Sequence, residues 1–229
     1  MNNWTAPQRP NSYAEHTLIN AILEGTFPPG SALPGERTLA NQLGITRPPL
    51  REAIQRLSRD GWLTVQQGKA TIVKDIWRDG GLNVLNGLVK HSHQLPPGFV
   101  TNLLELRLQL APAYTHAAVT QATDELHTFL STHVHLVDNP AAFASFDWQL
   151  HRQLTLSCGN PIYVLILNGF SDFYEQLAQL YFSQPGARNA SRTYYAELTT
   201  AVTNHDPNQA EAVTRVAMQF SIQLWQNVH

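Results

Sequence analysis

The chain is short of cysteine, of charge and of long apolar runs, and each shortage excludes a class of protein. A single cysteine, Cys158, in 229 residues permits no internal disulfide and fits a reducing cytosol. The longest uninterrupted apolar stretch, Ile162 to Leu167, is far short of the ~20 residues that span a bilayer. The opening MNNWTAPQRP has no apolar core of the kind that export signals carry. A cytoplasmic protein with no membrane partner is therefore expected. Gly-x-Ser-x-Gly, a glycine-rich phosphate loop and a dinucleotide fingerprint are all missing. No nucleophile–base pairing stands out either, so neither enzymatic activity nor a cofactor is expected. Internal repeats and low-complexity tracts are absent as well.

What remains is a chain with 43% hydrophobic residues, enough to bury real cores in one or two domains. Net charge is −2, but it is unevenly spread. Residues 1–75 hold 8 Lys+Arg and 6 Asp+Glu, or +2, whereas residues 76–229 hold 7 and 11, or −4. The positive charge sits with the most patterned stretch, Leu33 to Val73.

That stretch reads as helix, tight turn, helix and hairpin. The first helix runs from about Gly35 to Leu43, with Leu39, Ala40 and Leu43 on one face. Gly44 supplies the sharp exit, Ile45 plugs the corner, and Thr46 is a candidate N-cap for a second helix ending near Asp60-Gly61. There Leu50, Ala53, Ile54 and Leu57 form the buried stripe. Arg47, Arg51 and Gln55 recur every fourth residue and project away from it. An outward row of Arg and Gln behind a tight turn suits the major groove, where Arg forks onto guanine or phosphate and Gln onto adenine. Leu63 and Val65 then alternate with Thr64 and Gln66. Gln67-Gly68-Lys69 make a turn, and Ala70 to Val73 return. Such a wing can reach the DNA backbone or minor groove.

Before this segment, residues 1–11 read as frayed and Tyr13 to Leu23 as a helix packed under the reading helix. After it, Trp77 to Leu95 reads as a connector whose stiffness Gly80, Gly81 and Gly87 lower, closed by Pro96-Pro97-Gly98. From Phe99 onward only helices are predicted, at about 99–120, 123–137, 140–158, 161–183, 187–204 and 207–228. Asn139-Pro140, Asn160-Pro161 and Asp206-Pro207 are cap-then-proline starts. The expected fold is mainly α: an N-terminal winged helix-turn-helix with a small β-hairpin, then a C-terminal antiparallel all-α bundle. The expected divisions are 1–76 for DNA binding, 77–98 as a linker helix and 99–229 as an effector domain. His91 with His93, and His133 with His135, sit two apart. They would diverge on a helix, and so read as solvated.

The order of these pieces resembles the GntR-type winged-helix regulators. The carrying residues are Phe27-Pro28-Pro29-Gly30, Leu33-Pro34-Gly35-Glu36-Arg37, Gly44-Ile45-Thr46-Arg47, Leu50-Arg51-Glu52-Ala53 and Asp60-Gly61-Trp62-Leu63. The bundle resembles the ligand domain of the fatty-acid-responsive FadR group of that family. It does so through Gly159-Asn160-Pro161-Ile162-Tyr163, Leu165 to Gly169, Tyr181-Phe182, Asn102-Leu103-Leu104 with Arg107, and Ser221 with Trp225. The resemblance implies a homodimer on a palindromic double-stranded operator. Arg37, Thr46, Arg47, Arg51, Gln55, Gln67, Gly68 and Lys69 would contact DNA. It implies a long-chain acyl-CoA effector that releases the DNA, with repression of fatty-acid degradation and activation of unsaturated fatty-acid synthesis. The chain departs from the group at Pro48 and Pro49, in place of hydroxyl residues, at Gln67, in place of a histidine, and at Met218, in place of a small residue. The two prolines predict a late start for the reading helix.

Within the bundle, Arg107 has Leu103, Leu104, Leu110 and Ala111 as helical neighbours, and an unpaired charge in an apolar stripe is very costly. Either an internal acid pairs with it or an anionic ligand meets it; the resemblance implies the ligand. Tyr174 and Tyr181 share a face with Leu177 and Ala178. Ser221 and Trp225 are four apart on the last helix. By resemblance these residues complete an acyl-CoA pocket. Asp147 and His151 are also four apart. Many GntR relatives bind a metal through such a pair and two further histidines, but Glu197 and Met218 stand where those are expected. Two ligands do not make a zinc site, so the pair reads as an Asp–His hydrogen bond. The alternative function is a GntR-type regulator sensing a small, metal-chelated organic acid. An acyl-CoA enzyme or carrier would leave the winged head without a purpose.

Overall fold

The computed structural model describes residues 9–91 and 95–227; the expectations placed on residues 1–8 and on His93 lie outside them. The chain forms two compact units, Met1–Leu95 and Pro96–His229.

In the first unit α1 spans Pro10–Leu23. It starts earlier than the apolar pattern indicated, because Pro10 brings the φ that a first helical turn needs. Its buried Ala14, Leu18, Ile19 and Ile22 pack on α3 (Arg47–Arg59), whose own buried stripe is Leu50, Ala53, Ile54 and Leu57. Between them α2 (Glu36–Leu43) ends on Gly44 at φ +65°, a left-handed turn that glycine adopts at no steric cost. The late start expected for α3 does not occur. Pro48 and Pro49 fall in the first turn, where amide hydrogens have no helical acceptor and their loss costs nothing.

The hairpin is shorter than predicted. Only β1 (Leu63–Thr64) and β2 (Ile72–Val73) form a ladder, with Leu63 opposite Val73 and Thr64 opposite Ile72. A third edge, not read from the sequence, joins it: Leu33 donates to Thr71 O at 2.8 Å and Val73 donates to Ser31 O at 2.9 Å. The supposed connector is packed into this unit. Asp75 caps the short α4 (Ile76–Asp79). In α5 (Asn83–His91), Val84, Leu88 and Val89 are buried. Gly87 serves close packing, since a Cβ there would lie 2.6 Å from the ring of Trp62, which is itself buried.

The second unit is a helical bundle: α6 (Phe99–Gln121), α7 (Thr123–Leu130) and a 3-10 turn at Ser131–His135, then α8 (Pro140–Ser157), α9 (Pro161–Asn168), α10 (Ser171–Phe182), α11 (Pro185–Thr203) and α12 (Pro207–Gln226). All three expected caps form: Asn139, Asn160 and Asp206 accept from the backbone N–H of Ala142, Ile162 and Gln209. Two predicted helices are broken. The segment read as 123–137 loosens into the 3-10 turn, where His133 donates from Nδ1 to Leu130 O. The segment read as 161–183 breaks at Gly169-Phe170 into α9 and α10. The core lies among α6, α8, α11 and α12, with Phe143, Leu150, Tyr195 and Leu198 fully enclosed.

Candidate DNA-reading face and effector cleft

Each unit carries one candidate site. On the first, α3 is held from behind by its apolar stripe, so its outer face is free. Arg47, Arg51 and Gln55 are exposed on it, Thr46 is exposed at its N-cap and Arg37 on α2, and Gln67, Gly68 and Lys69 are exposed at the wing. Gly68 has φ +74°, and Lys69 N–H closes the wing turn on Gln66 O at 3.1 Å. Thr46 occupies the N-cap in extended backbone, yet its side chain makes no cap hydrogen bond. The reason is local. A cap oxygen accepts from the second or third helical N–H, and here those positions are Pro48 and Pro49. The Thr46 hydroxyl is left outward-facing, and this helix end cannot offer the usual amides to a phosphate.

Arg47 and Arg51 share an acid that sequence reasoning quoted in a motif but gave no role. Glu36, at the start of α2, accepts from Arg51 Nη2 at 2.6 Å and Nε at 3.1 Å, and from Arg47 Nη2 at 3.5 Å. Arg51's hydrogen bond holds the Glu36 carboxyl below the ordinary carboxylate range.

On the second unit, α6, α9 and α10 surround an apolar cleft with about 970 Å³ of open space, its mouth included. Leu104, Ile166, Leu167, Phe173 and Leu177 are among its walls. Arg107, Tyr174, Tyr181 and Trp225, singled out from sequence, all line it. Ser221 does not; it lines a smaller adjoining pocket, about 310 Å³ with its opening to solvent included, that also touches Arg107, Asp147 and Tyr181. Tyr181 donates to Ser221 Oγ at 3.2 Å, and Ser221 donates to Ala217 O at 2.9 Å.

Between the two cavities lies a buried polar network. Arg107 Nη2 donates to Asp147 Oδ2 at 2.6 Å and to His151 Nε2. Of the two readings left open for Arg107, the internal acid is therefore present. Asp147 also accepts from the hydroxyls of Tyr174 and, at 3.1 Å, Tyr195. The Asp–His hydrogen bond expected from the four-residue spacing does not form, since the nearest approach of the two side chains is 3.8 Å. The donors of Arg107 and two tyrosines satisfy the carboxylate instead. A guanidinium only donates, so His151 Nε2 accepts and the ring proton is assigned to Nδ1, which donates to Tyr114 Oη at 2.6 Å. Tyr114 and Tyr195 were missed. Tyr114 had a signal, lying two turns along the same face of α6 as Arg107.

Burial is the largest single influence on Asp147 and acts to raise its pKa, but the charge of Arg107, together with His151 and the hydrogen bonds of Tyr174 and Tyr195, holds the carboxyl below its usual value. Burial and then Arg107 push His151 down to about 3. Burial pushes Tyr114, Tyr174 and Tyr195 up, so these phenols stay protonated donors or neutral acceptors. Glu197 is exposed and Met218 buried. Among the described residues no group of three or more His, Cys, Asp or Glu is arranged to hold a metal. The guanidinium of Arg107 contacts both Asp147 and His151, the two residues weighed as ligands.

Residues 11–73 match the model of the bacterial regulatory proteins of the gntR family, and residues 74–229 match the FadR C-terminal domain. The chain belongs to the GntR family, with a FadR-type C-terminal domain. This GntR protein is 42% identical over 191 residues to the fatty acid metabolism regulator protein of Edwardsiella ictaluri, covering 83% of this chain and 80% of that one. It is 38% identical over 221 residues to the protein of the same name from Yersinia pestis, covering 96% and 92%. It is a transcriptional regulator of fatty acid metabolism, not an enzyme. The fold is shared more widely. Lar of Listeria monocytogenes superposes with a TM-score of 0.60 at 14% identity over the whole of both chains. McbR/YncC of E. coli does so at 0.50 and 18%, covering 96% of this chain and 99% of the other. Among the described residues of this GntR regulator no helix is long and apolar enough to cross a membrane.

Proposed function

We propose that this GntR regulator acts in the cytoplasm as a homodimer on a palindromic operator, and that long-chain acyl-CoA releases it. It would repress fatty-acid degradation and activate unsaturated fatty-acid synthesis. One observation carries the choice of ligand: among the described residues the only cation lining the apolar cleft, Arg107, is already paired with Asp147. A free carboxylate entering there would set a second negative charge beside Asp147, which is repulsive in a site of low dielectric. A thioester carbonyl brings no charge and can accept from Arg107 or a tyrosine. The apolar walls take the chain, and each methylene buried contributes ~0.8 kcal/mol, so length supplies most of the affinity. The thioester end of the chain sits against Arg107, Tyr181, Ser221 and Trp225, with the charged CoA outside. Ligand and operator then oppose each other, each weakening the other by the same factor. On DNA, Arg37, Thr46, Arg47, Arg51 and Gln55 contact the groove and its edges, and Gln67, Gly68 and Lys69 of the wing reach the backbone.

The test is a titration of the protein–operator complex with oleoyl-CoA, with free CoA, oleate and citrate as controls. Oleoyl-CoA should release the DNA and change the fluorescence of Trp225, whereas the controls should act poorly. Ser221→Asn, and Arg107→Met combined with Asp147→Asn so that no buried charge is stranded, should keep operator affinity and make release insensitive to oleoyl-CoA. Release by citrate and not by oleoyl-CoA would replace this reading with the organic-acid one.

A further inference from the structure

We infer that Glu36 sets the DNA specificity of this regulator by holding Arg47 and Arg51 away from phosphates until base edges compete for them. The inference rests on α3 as the reading helix, and it concerns a residue that the DNA-contact set does not include. Arg47 and Arg51 are the two arginines that face outward one turn apart, with side chains 59% and 60% exposed. Both end on a single carboxylate fifteen residues or fewer back in the chain, itself 32% exposed. Arg51 gives it a two-point contact, Nε to Oε1 and Nη2 to Oε2, the fork with which a guanidinium would otherwise grip a phosphate or guanine O6/N7.

As a stabilising device the cluster is weak, because exposed ion pairs contribute little to folding. Its consequence falls on DNA. Non-specific binding comes from cations that neutralise phosphates and release counterions, and it scales with the number of cations free to do so. Glu36 cancels one of the two charges at the front of α3 and repels the phosphates itself. Any duplex therefore meets a reading face short of one phosphate contact. A matched base offers in return the planar pair of acceptors that a fork fits. Glu36 also fixes the direction of Arg51, so less side-chain freedom is lost when the correct base arrives. Arg56, further along α3, is tied elsewhere, to Glu52 and Glu15. The effect is thus confined to the end of the helix that enters the groove first.

The test uses the full-length protein. An operator is first selected from random duplexes by the parent chain, and loss of its binding in Arg47→Ala and Arg51→Ala checks α3 as the reading helix independently of Glu36. Affinities of the parent and of Glu36→Gln are then measured on that operator and on a scrambled duplex, across a range of salt. Glu36→Gln keeps the size of the side chain and loses the charge. Its affinity for the scrambled duplex should rise by roughly tenfold, and the slope of log K against log salt on that duplex should steepen by about one. Operator affinity should rise by no more than about twofold or fall, so the operator-to-scrambled ratio drops at least about fivefold. Glu36→Asp keeps the charge without the reach; it should retain weak scrambled binding and lose operator affinity. In an Arg51→Lys background, where no fork exists to be held, Glu36→Gln should alter the ratio less than in the parent. A ratio for Glu36→Gln within twofold of the parent, or an equal change in both backgrounds, overturns the inference.

Discussion

Arg107 and Asp147, forty residues apart in the chain, meet at 2.6 Å between α6 and α8, where the aspartate is 2% exposed and the arginine side chain 20%. A buried pair of this kind is weak as a source of net stability but strong as a constraint, because removing one partner strands the other. Asp147→Asn should therefore cost roughly 3–5 kcal/mol, by leaving the Arg107 cation unpaired. Combining it with Arg107→Met should recover most of that loss, since no charge is then stranded. Urea midpoints for the two variants check this. A double variant as unstable as the single one would show that the pair is not what the carboxylate serves.

His151 makes stability pH-dependent in a defined window. Its folded-state pKa is pushed down to about 3 from 6.5. Below 6.5 the unfolded ring takes up a proton and the folded ring does not, so the unfolded state gains protons and stability falls. The contribution is complete above pH 6.5 and is lost as pH drops toward 3, at a limiting rate of roughly 1.4 kcal/mol per unit. Asp147 acts in the same direction but lower, because its depressed pKa matters only below its ordinary value near 3.8. Between pH 6.5 and 4.5 the slope therefore belongs to His151. Urea midpoints across that range should decline in the parent and flatten in His151→Gln; parallel lines would contradict the assignment.

Arg47→Ala and Arg51→Ala should each weaken operator binding by ~1–3 kcal/mol, the loss expected for a forked base contact. Both residues are exposed and, among the described residues, form ion pairs only with Glu36, so melting temperatures should stay near the parent's. Gel shifts with unchanged affinity for both variants would remove α3 from the groove.

Gly87→Ala should destabilise the first unit although alanine is the better helix former. The added Cβ would stand 2.6 Å from the Trp62 ring, and overpacking of this kind costs ~1–3 kcal/mol. Trp62→Phe, which removes the atoms in the way, should relieve part of that cost. Thermal unfolding of the single and double variants decides it, and full additivity would mean that the two residues do not compete for space.

Periodicity alone determined most of the first unit. Leu50, Ala53, Ile54 and Leu57 could lie only inward, which left Arg47, Arg51 and Gln55 outward. Gly44 could only end α2, and each Asn/Asp-Pro pair could only begin a helix. These are local relationships, readable because helical spacing and φ restrictions act within a turn or two. Tertiary structure decided the partners. The spacing of Asp147 and His151 put them on one face of α8, but not what faced them, and Arg107 took the place that the sequence reading had given to a hydrogen bond between the two. Glu36 found Arg51 fifteen residues away and Asp147 found Tyr195 forty-eight away, distances at which no spacing rule operates. Likewise Gly87, which reads as a flexible point in a connector, became a contact because Trp62 needed the space. Whether a glycine loosens a chain or closes a packed interface depends on what lies opposite, and only the folded chain supplies that.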